Sequence, residues 1–329
     1  MLRGKKVLIT GAGGFIGSHL VEEALNAGAN VSALIKYNSR NDWGCLEFLS
    51  AQTKNSIEVI VGDVRDPFLV EKAVKGCDVV FHLAALIGIP YSYVSPESYV
   101  DTNVKGTLNI LEASLKAGVE KVVQTSTSET YGSALYTPID EKHPLQGQSP
   151  YSATKIAADM LAESYGKSFS LPVTIIRPFN TYGPRQSARA VIPTVASQVL
   201  SGKREISLGS LSPVRDLTFV KDTVRGFLKI AIDAKAVSET INIGFGKGIS
   251  IGELAMLISK VAGISIKIVS ERARTRPKNS EVMALICNNS KAKNIIDWEP
   301  LTSLNDGLAR TLDYIENNLN NYKIDMYNI

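Results

Sequence analysis

A chain of 329 residues is long enough to bury a substantial core in one large unit or two closely joined ones. Its 44% hydrophobic and 21% charged residues are those of an ordinary globular protein, and a net charge of +4 is too small to mark a nucleic-acid binder, though it helps an anionic ligand approach. Three scattered cysteines (Cys45, Cys77, Cys287), with no CxxC and no His/Cys cluster, point to reduced thiols rather than disulfides or a metal site, and no apolar run approaches the roughly 20 residues of a membrane span. The N-terminal residues run straight into a strand with no room for a signal peptide, so a soluble, cytoplasmic protein without membrane or nucleic-acid partners is expected.

In chain order, β-branched runs at 7–10, 31–35, 57–61, 79–83, 122–126 and 173–176 alternate with amphipathic helical stretches, and 240–243 supplies a seventh run. This is the pattern of an α/β, doubly wound parallel sheet. Ile16, Leu20, Ala24 and Leu25 fall at helical spacing and Gly28 closes that helix; Val100, Val104, Leu108, Leu111 and Leu115 predict a second over 98–117. After Arg177 the rhythm changes to a loop over 178–187, a helix near 190–201, a short strand, a basic loop, a helix over 250–262, a mixed basic stretch and a last helix over 303–319. The expected organisation is a cofactor domain over 1–177, completed by about 220–262, with a smaller α/β substrate domain from 178–219 and 263–329.

Thr10-Gly11-Ala12-Gly13-Gly14-Phe15-Ile16-Gly17 leaves a strand and opens a helix. Such glycines allow a tight turn and let backbone amides meet a pyrophosphate at the positive helix end. The spacing Gly11-x-x-Gly14-x-x-Gly17 resembles the fingerprint of the extended short-chain dehydrogenase/reductases, which implies a Rossmann-type fold and a tightly held nicotinamide dinucleotide. The resemblance continues in order: Asp63-Val64 where the family contacts adenine, His82-Leu83-Ala84-Ala85 beside the cofactor, Asn103 where it keeps a structural Asn, and Thr125 at the end of the next strand. His82 taken singly reads as a core histidine. No acid follows the glycines between 31 and 41 to hold a ribose 2′-hydroxyl; Lys36, Ser39 and Arg40 stand there instead, which favours NADP over NAD, the alternative being solvated loop charges.

Tyr151-Ser152-Ala153-Thr154-Lys155 places Tyr and Lys four apart on one helix face. A phenol is a poor base at neutral pH, and a neighbouring cation makes phenolate more accessible. With Thr127 at a strand end, Tyr151 and Lys155 match the family's catalytic trio. In Thr127-Ser128-Glu129-Thr130-Tyr131-Gly132, Glu129 stands where nucleotide-sugar 4,6-dehydratases carry the base that removes the C5 proton, whereas sugar 4-epimerases usually have no acid there. Ser128 replaces the Asp that commonly helps the C6 hydroxyl leave. UDP-glucuronate decarboxylases also tend to read Thr-Ser-Glu, so the motif does not separate the two. The bland reading of Glu129 is a solvated loop carboxylate.

Pro178-Phe179-Asn180-Thr181-Tyr182-Gly183-Pro184-Arg185 resembles the family's substrate loop, and Arg215 and Arg276 match arginines that grip a diphosphate, a role suited to a planar guanidinium fork. Stretches 37–44, 87–93 (with Ile87), 183–194 (with Arg185, Val191 and Ile192) and 276–282 look like the bacterial N-acetylglucosamine-nucleotide 4,6-dehydratases, including those of legionaminic-acid synthesis. That branch implies a UDP- or GDP-N-acetylglucosamine substrate, a 4-keto-6-deoxy product and a homodimer built on helices within 98–117 and 150–168. Three rivals stand beside it. A UDP-glucuronate decarboxylase commonly carries Arg-Lys-Pro before its last Trp-x-Pro, where this chain runs Asn288-Asn289-Ser290-Lys291-Ala292-Lys293 towards Trp298. A 4-epimerase would leave Glu129 idle. A redox-sensing binder would have no use for Thr127, Tyr151 and Lys155 together.

Overall fold

The computed structural model describes residues 2–271 and 280–324. Its first strand, β1 (Lys6–Thr10), has one exposed residue followed by four buried ones, as expected of a parallel strand covered on both faces. It leads through α1 (Phe15–Asn26) to β2 (Asn30–Lys36), a short α2 (Ala51–Asn55) and β3 (Ile57–Gly62). Then come α3 (Pro67–Val74), which Asp66 caps by accepting from the amides of Phe68 and Leu69, β4 (Val79–His82), α4 (Ile89–Val94), α5 (Pro96–Tyr99) and α6 (Gly106–Ala117). The chain continues through β5 (Lys121–Thr125), α7 (Pro150–Phe169) and β6 (Val173–Pro178). These strands and β10 (Thr240–Ile243) form one parallel sheet in the order β10-β6-β5-β4-β1-β2-β3. The order reverses direction beside β1, so the carboxyl ends of β1 and β4 flank the crevice in which open α/β sheets bind ligands. All seven expected strands are present.

Two local expectations change. Residues 98–117 are not one α-helix: a π turn over Val100–Lys105 joins α5 to α6 and carries the buried Asn103 inward. The loop over 178–187 contains β7 (Asn180–Tyr182), which pairs in parallel with Leu217–Phe219. Three residues of strand within a Pro- and Gly-rich stretch carry no readable period, and only the pairing reveals them.

The second half adds α8 (Val191–Leu200), β8 (Glu205–Leu208), β9 (Val214–Phe219), α9 (Val220–Ile232), β11 (Gly248–Ser250) and α10 (Ile251–Ala262). It ends with β12 (Lys267–Ser270), β13 (Ala284–Leu285), α11 (Ser290–Ile296) and α12 (Leu304–Asn317). Strand β9 is the hub, antiparallel to β11 and parallel to β13 and β7. Helix α9 returns to pack on α1 and β5, and α10 packs on α8 and α12. One apolar cluster runs from Val7 and Ile9 through Val195, Phe227 and Trp298 to Leu312, so both halves share a core. Among the described residues, no helix is long and apolar enough to cross a membrane.

Candidate active site

At the sheet switch point, the Thr10 hydroxyl accepts from the amides of Leu83 (3.2 Å) and Ala84 (3.1 Å), drawing the loop after β4 onto the glycine turn. Gly11 sits at φ +68°, and a Cβ there would lie 2.8 Å from the Ala84 nitrogen. A Cβ on Gly17 would come within 2.2 Å of the Gly11 carbonyl oxygen, so helix and turn meet at backbone contact. The Gly13 carbonyl accepts from the Cys45 amide at 2.8 Å, packing the Trp43–Cys45 loop on the turn. Gly14 precedes α1 with no side-chain cap and no acid in the first turn, leaving the first amides of the helix, from Phe15 and Ile16 onward, without a side-chain cap. A helix N-terminus approached this closely by bare backbone fits a dinucleotide pyrophosphate.

At the end of β2 and just beyond it, Lys36, Ser39 and Arg40 are exposed, and Asn38 organises the loop by accepting from the amides of Arg40 and Asp42, both at 3.1 Å. After β3, Asp63 receives a two-pronged bond from Arg65 (3.0 and 2.7 Å), which holds its carboxyl below the usual range. Val64 packs under Gly106 of α6, and its carbonyl accepts from Asn109 at 2.9 Å. Leu83, Ala84 and Ala85 line the half-buried stretch after β4. His82 is a core histidine, hydrogen-bonded to the hydroxyls of Thr10 (2.8 Å) and Thr107 (3.2 Å), with burial lowering its pKa to about 3. The Asn103 amide brackets Leu86, accepting from its N–H at 2.8 Å and donating to its carbonyl at 3.0 Å, and also donates to the Thr154 hydroxyl at 3.1 Å. It thereby ties the loop after β4 to α7.

Helix α7 opens with Pro150 behind a capping box of Ser149 and Ser152, which fixes its first turn and with it Tyr151 and Lys155. The Lys155 ammonium donates to the Thr125 carbonyl at 2.6 Å. Burial lowers the pKa of Lys155 to about 8, against the opposing pull of the Asp159 carboxylate. Burial also drives the Tyr151 phenol well above its ordinary value; the Thr127 hydroxyl draws it back, while the charge of Glu129 and the neighbouring Tyr99 push it further up. Thr127 caps the short helical turn Ser128–Tyr131, its hydroxyl accepting from the Glu129 amide at 3.2 Å. Thr127 and Glu129 therefore both act on the Tyr151 phenol, with the Lys155 ammonium held one helical turn further on at the Thr125 carbonyl, and Ser128 is buried. A phenol beside a hydroxyl can pass a proton to and from a sugar hydroxyl, and a nearby carboxylate can take a second proton.

The expected substrate groups divide. Asn180 offers a buried carbonyl oxygen with no hydrogen-bond partner among the described residues, a deficit of about 1–3 kcal/mol that a ligand donor would relieve. Val191 and Ile192 form the first turn of α8, behind Ala190 with no side-chain cap, and Ile192 is buried. Ile87 is exposed. Arg215 is buried, donating to the Val214 carbonyl at 3.0 Å and standing 3.6 Å from Glu281. Arg185 departs from expectation: its guanidinium pairs with Glu22 at 2.7 Å and donates to Ser18 at 3.3 Å, so it fastens the loop to α1. Glu22 lies too far away in sequence to be foreseen as its partner. Arg276 lies outside the described residues.

The sequence model of the GDP-mannose 4,6 dehydratase family matches residues 8–311. The chain belongs to this family. It is similar to a putative UDP-glucose 4-epimerase of Methanocaldococcus jannaschii, 32% identical over 95% of this chain and 99% of that one. A dTDP-glucose 4,6-dehydratase of Streptomyces antibioticus is also 32% identical, over 95% of this chain and 92% of its own. The solved dTDP-glucose 4,6-dehydratase DesIV of Streptomyces venezuelae, with NAD bound, superposes with a TM-score of 0.85 at 29% identity, covering 97% of this chain and 99% of that one. The likeness runs through almost the whole chain, which is an extended short-chain dehydrogenase/reductase with a Rossmann-type parallel sheet.

No motif foretells the buried pair Asp159–Arg177, 2.9 Å apart behind the Ser126–Tyr131 segment. A signal was present: Arg177 is a charge at the end of the apolar run Val173-Thr174-Ile175-Ile176, and Asp159 follows Lys155 by one helical turn.

Proposed function

We propose that this chain is a nucleotide-sugar 4,6-dehydratase converting UDP-N-acetylglucosamine, or its GDP-linked counterpart, to the 4-keto-6-deoxy sugar. The observation that carries the reading is the placement of Glu129 beside Tyr151, within electrostatic reach of the same phenol that Thr127 contacts. Tyr151, through Thr127, takes the proton of the sugar C4 hydroxyl, and the Lys155 ammonium favours the phenolate that receives it. A bound nicotinamide dinucleotide supplies the acceptor for hydride from C4 and its return to C6, so there is no net redox. The 4-keto group acidifies C5–H, and Glu129 removes that proton. Glu129 then hands it to the departing C6 hydroxyl, with Ser128 or a water assisting in place of the missing Asp; as hydride returns to C6, Glu129 delivers a proton taken from solvent to C5, and Tyr151 releases the C4 proton to solvent. The balance is loss of one water. Asn180, Arg215 and Arg276 are assigned to the sugar and its diphosphate, together with Ile87 and the α8 start at Val191 and Ile192.

The cofactor is assigned to the Gly11–Gly17 turn and the loops after β3 to β5, with NADP favoured. Lys36 and Arg40 are cations at the end of β2, and the nearest acid after β3, Asp63, already binds Arg65. A homodimer through α6 and α7 is supported by Leu108 and Met160, apolar residues exposed on those helices. Residues 1–177, completed by about 220–262, are assigned to the cofactor, and 178–219 with 263–329 to the substrate.

A 4-epimerase is the second reading, favoured by the Methanocaldococcus jannaschii relative. The test is incubation with UDP- and GDP-sugars in buffered heavy water, with products read by mass and solvent deuterium located. The wild type is expected to lose water and carry deuterium at C5, and Glu129→Gln is expected to lose dehydration while keeping its dinucleotide. Isomerisation without C5 deuterium would establish an epimerase, and loss of carbon dioxide from a uronic acid a decarboxylase. Normal dehydration by Glu129→Gln would move the C5 base elsewhere.

A further inference from the structure

Behind the Thr127–Glu129 segment lies a buried polar assembly to which the chemistry above assigns no substrate contact, although its Asp159 carboxylate supports the charge of Lys155. Asp159, on α7, is fully buried, and one oxygen of its carboxylate accepts three bonds: from the Ser126 hydroxyl at 2.6 Å and from Arg177 Nε (3.1 Å) and its terminal nitrogen (2.9 Å). Arg177, at the end of β6, donates from its other terminal nitrogen to the Tyr131 hydroxyl at 3.1 Å and lies 5.1 Å from the centre of that ring. The Tyr131 hydroxyl in turn donates to Asn242 of β10 at 2.8 Å. Ser126 immediately precedes Thr127, and Tyr131 lies two residues beyond Glu129, so the two side chains gripped by the pair bracket the segment that carries both. Between the grips, the Thr130 hydroxyl closes the turn on the Thr127 carbonyl at 2.7 Å.

We propose that Asp159 and Arg177 are positioning residues whose ion pair clamps Thr127-Ser128-Glu129 at both flanks and so sets the approach of Thr127 and Glu129 to Tyr151. The role of Glu129 rests on the dehydratase reading; that of Thr127 holds for any reaction in which Tyr151 exchanges a proton with the substrate. A buried carboxylate–guanidinium pair is worth little as net stability against an apolar substitute of the same shape, but it fixes geometry. Misplacement of catalytic groups by about 1 Å can cost on the order of 100-fold in rate.

Because breaking the pair itself would strand a buried charge and endanger the fold, the test removes the grips: Ser126→Ala, Tyr131→Phe and the double variant. Tyr165→Phe is the control, a hydroxyl on the same helix that bonds Glu112 away from the segment. The holoenzymes are compared by thermal unfolding, dinucleotide content, and kcat and KM with whichever nucleotide sugar the wild type turns over. Each grip variant is expected to lower kcat about 5- to 50-fold with KM within about 2-fold and full dinucleotide content. The double variant should lose less than the product of the two, since both act on one segment. Tyr165→Phe should keep its kcat. An unchanged kcat in the folded double variant, or an equal loss in Tyr165→Phe, overturns the clamp. Should the wild type incorporate no deuterium at C5, the dehydratase reading falls, but a kcat loss confined to the grip variants still supports the clamp through Thr127.

Discussion

The close approach of backbone at the glycine turn can be isolated by comparing two glycines in the same conformation. Gly11 and Gly118 sit at φ +68° and +63°, yet a Cβ on Gly118 would meet nothing within 4 Å, whereas one on Gly11 would lie 2.8 Å from the Ala84 nitrogen and 2.9 Å from its Cα. Gly118→Ala therefore bears only the left-handed penalty of about 1–2 kcal/mol. Gly11→Ala adds an overpacking cost of about 1–3 kcal/mol, because its neighbour is backbone held by Thr10 and cannot swing aside. At about 2.1 cal/mol/K per residue, unfolding 329 residues carries an entropy of about 0.7 kcal/mol/K, so each kcal/mol moves Tm by about 1.5 °C. Gly118→Ala should then lower Tm by about 1.5–3 °C and Gly11→Ala by about 3–7 °C. The two should differ more sharply in dinucleotide content after purification: Gly118→Ala keeps it, and Gly11→Ala displaces the Leu83–Ala85 loop and loses it. Calorimetry and absorbance of the released cofactor read both effects. Equal Tm shifts with equal dinucleotide content would refute the backbone contact and the placement of the cofactor over it.

Tyr151→Phe is expected to retain its dinucleotide and lose about 10²–10⁴-fold in kcat, the usual share of general acid–base catalysis; a near-normal rate would remove the phenol from the mechanism. Since burial lowers Lys155 to a pKa of about 8, its ammonium is present below that pH and lost above it, so kcat should fall on the alkaline side from about pH 8. A profile flat to pH 10, well beyond the roughly 8.5 at which most of the charge is gone, would exclude a catalytic ammonium. Replacing Lys36 and Arg40 together by Ala should weaken NADP binding, measured by titration calorimetry, by about 10-fold or more, with little change for NAD. Equal losses for the two dinucleotides would overturn the 2′-phosphate assignment.

The sheet and the glycine turn were legible in the sequence because their signals are local. A strand buried on both faces is a run such as Val7-Leu8-Ile9, a helix repeats its apolar face, and a phosphate turn needs its glycines at fixed spacing. Tyr151 and Lys155 were legible for the same reason, their separation being one helical turn. What only the tertiary structure decided are contacts between distant segments. Arg185 looks like a substrate ligand in its loop, but α1 returns beside that loop and Glu22 claims the guanidinium from 163 positions earlier in the chain. The inward turn of Asn103 depends on a π turn that keeps the apolar period of a helix and so leaves no trace in it. The grip of Asp159 and Arg177 on Ser126 and Tyr131 joins α7, β6 and both flanks of the Thr127–Glu129 turn, four pieces of chain whose adjacency follows from strand order. Periodicity and motif spacing report which face a residue presents. Which charge it meets there is settled when the sheet closes and burial makes an unpaired group too costly to leave.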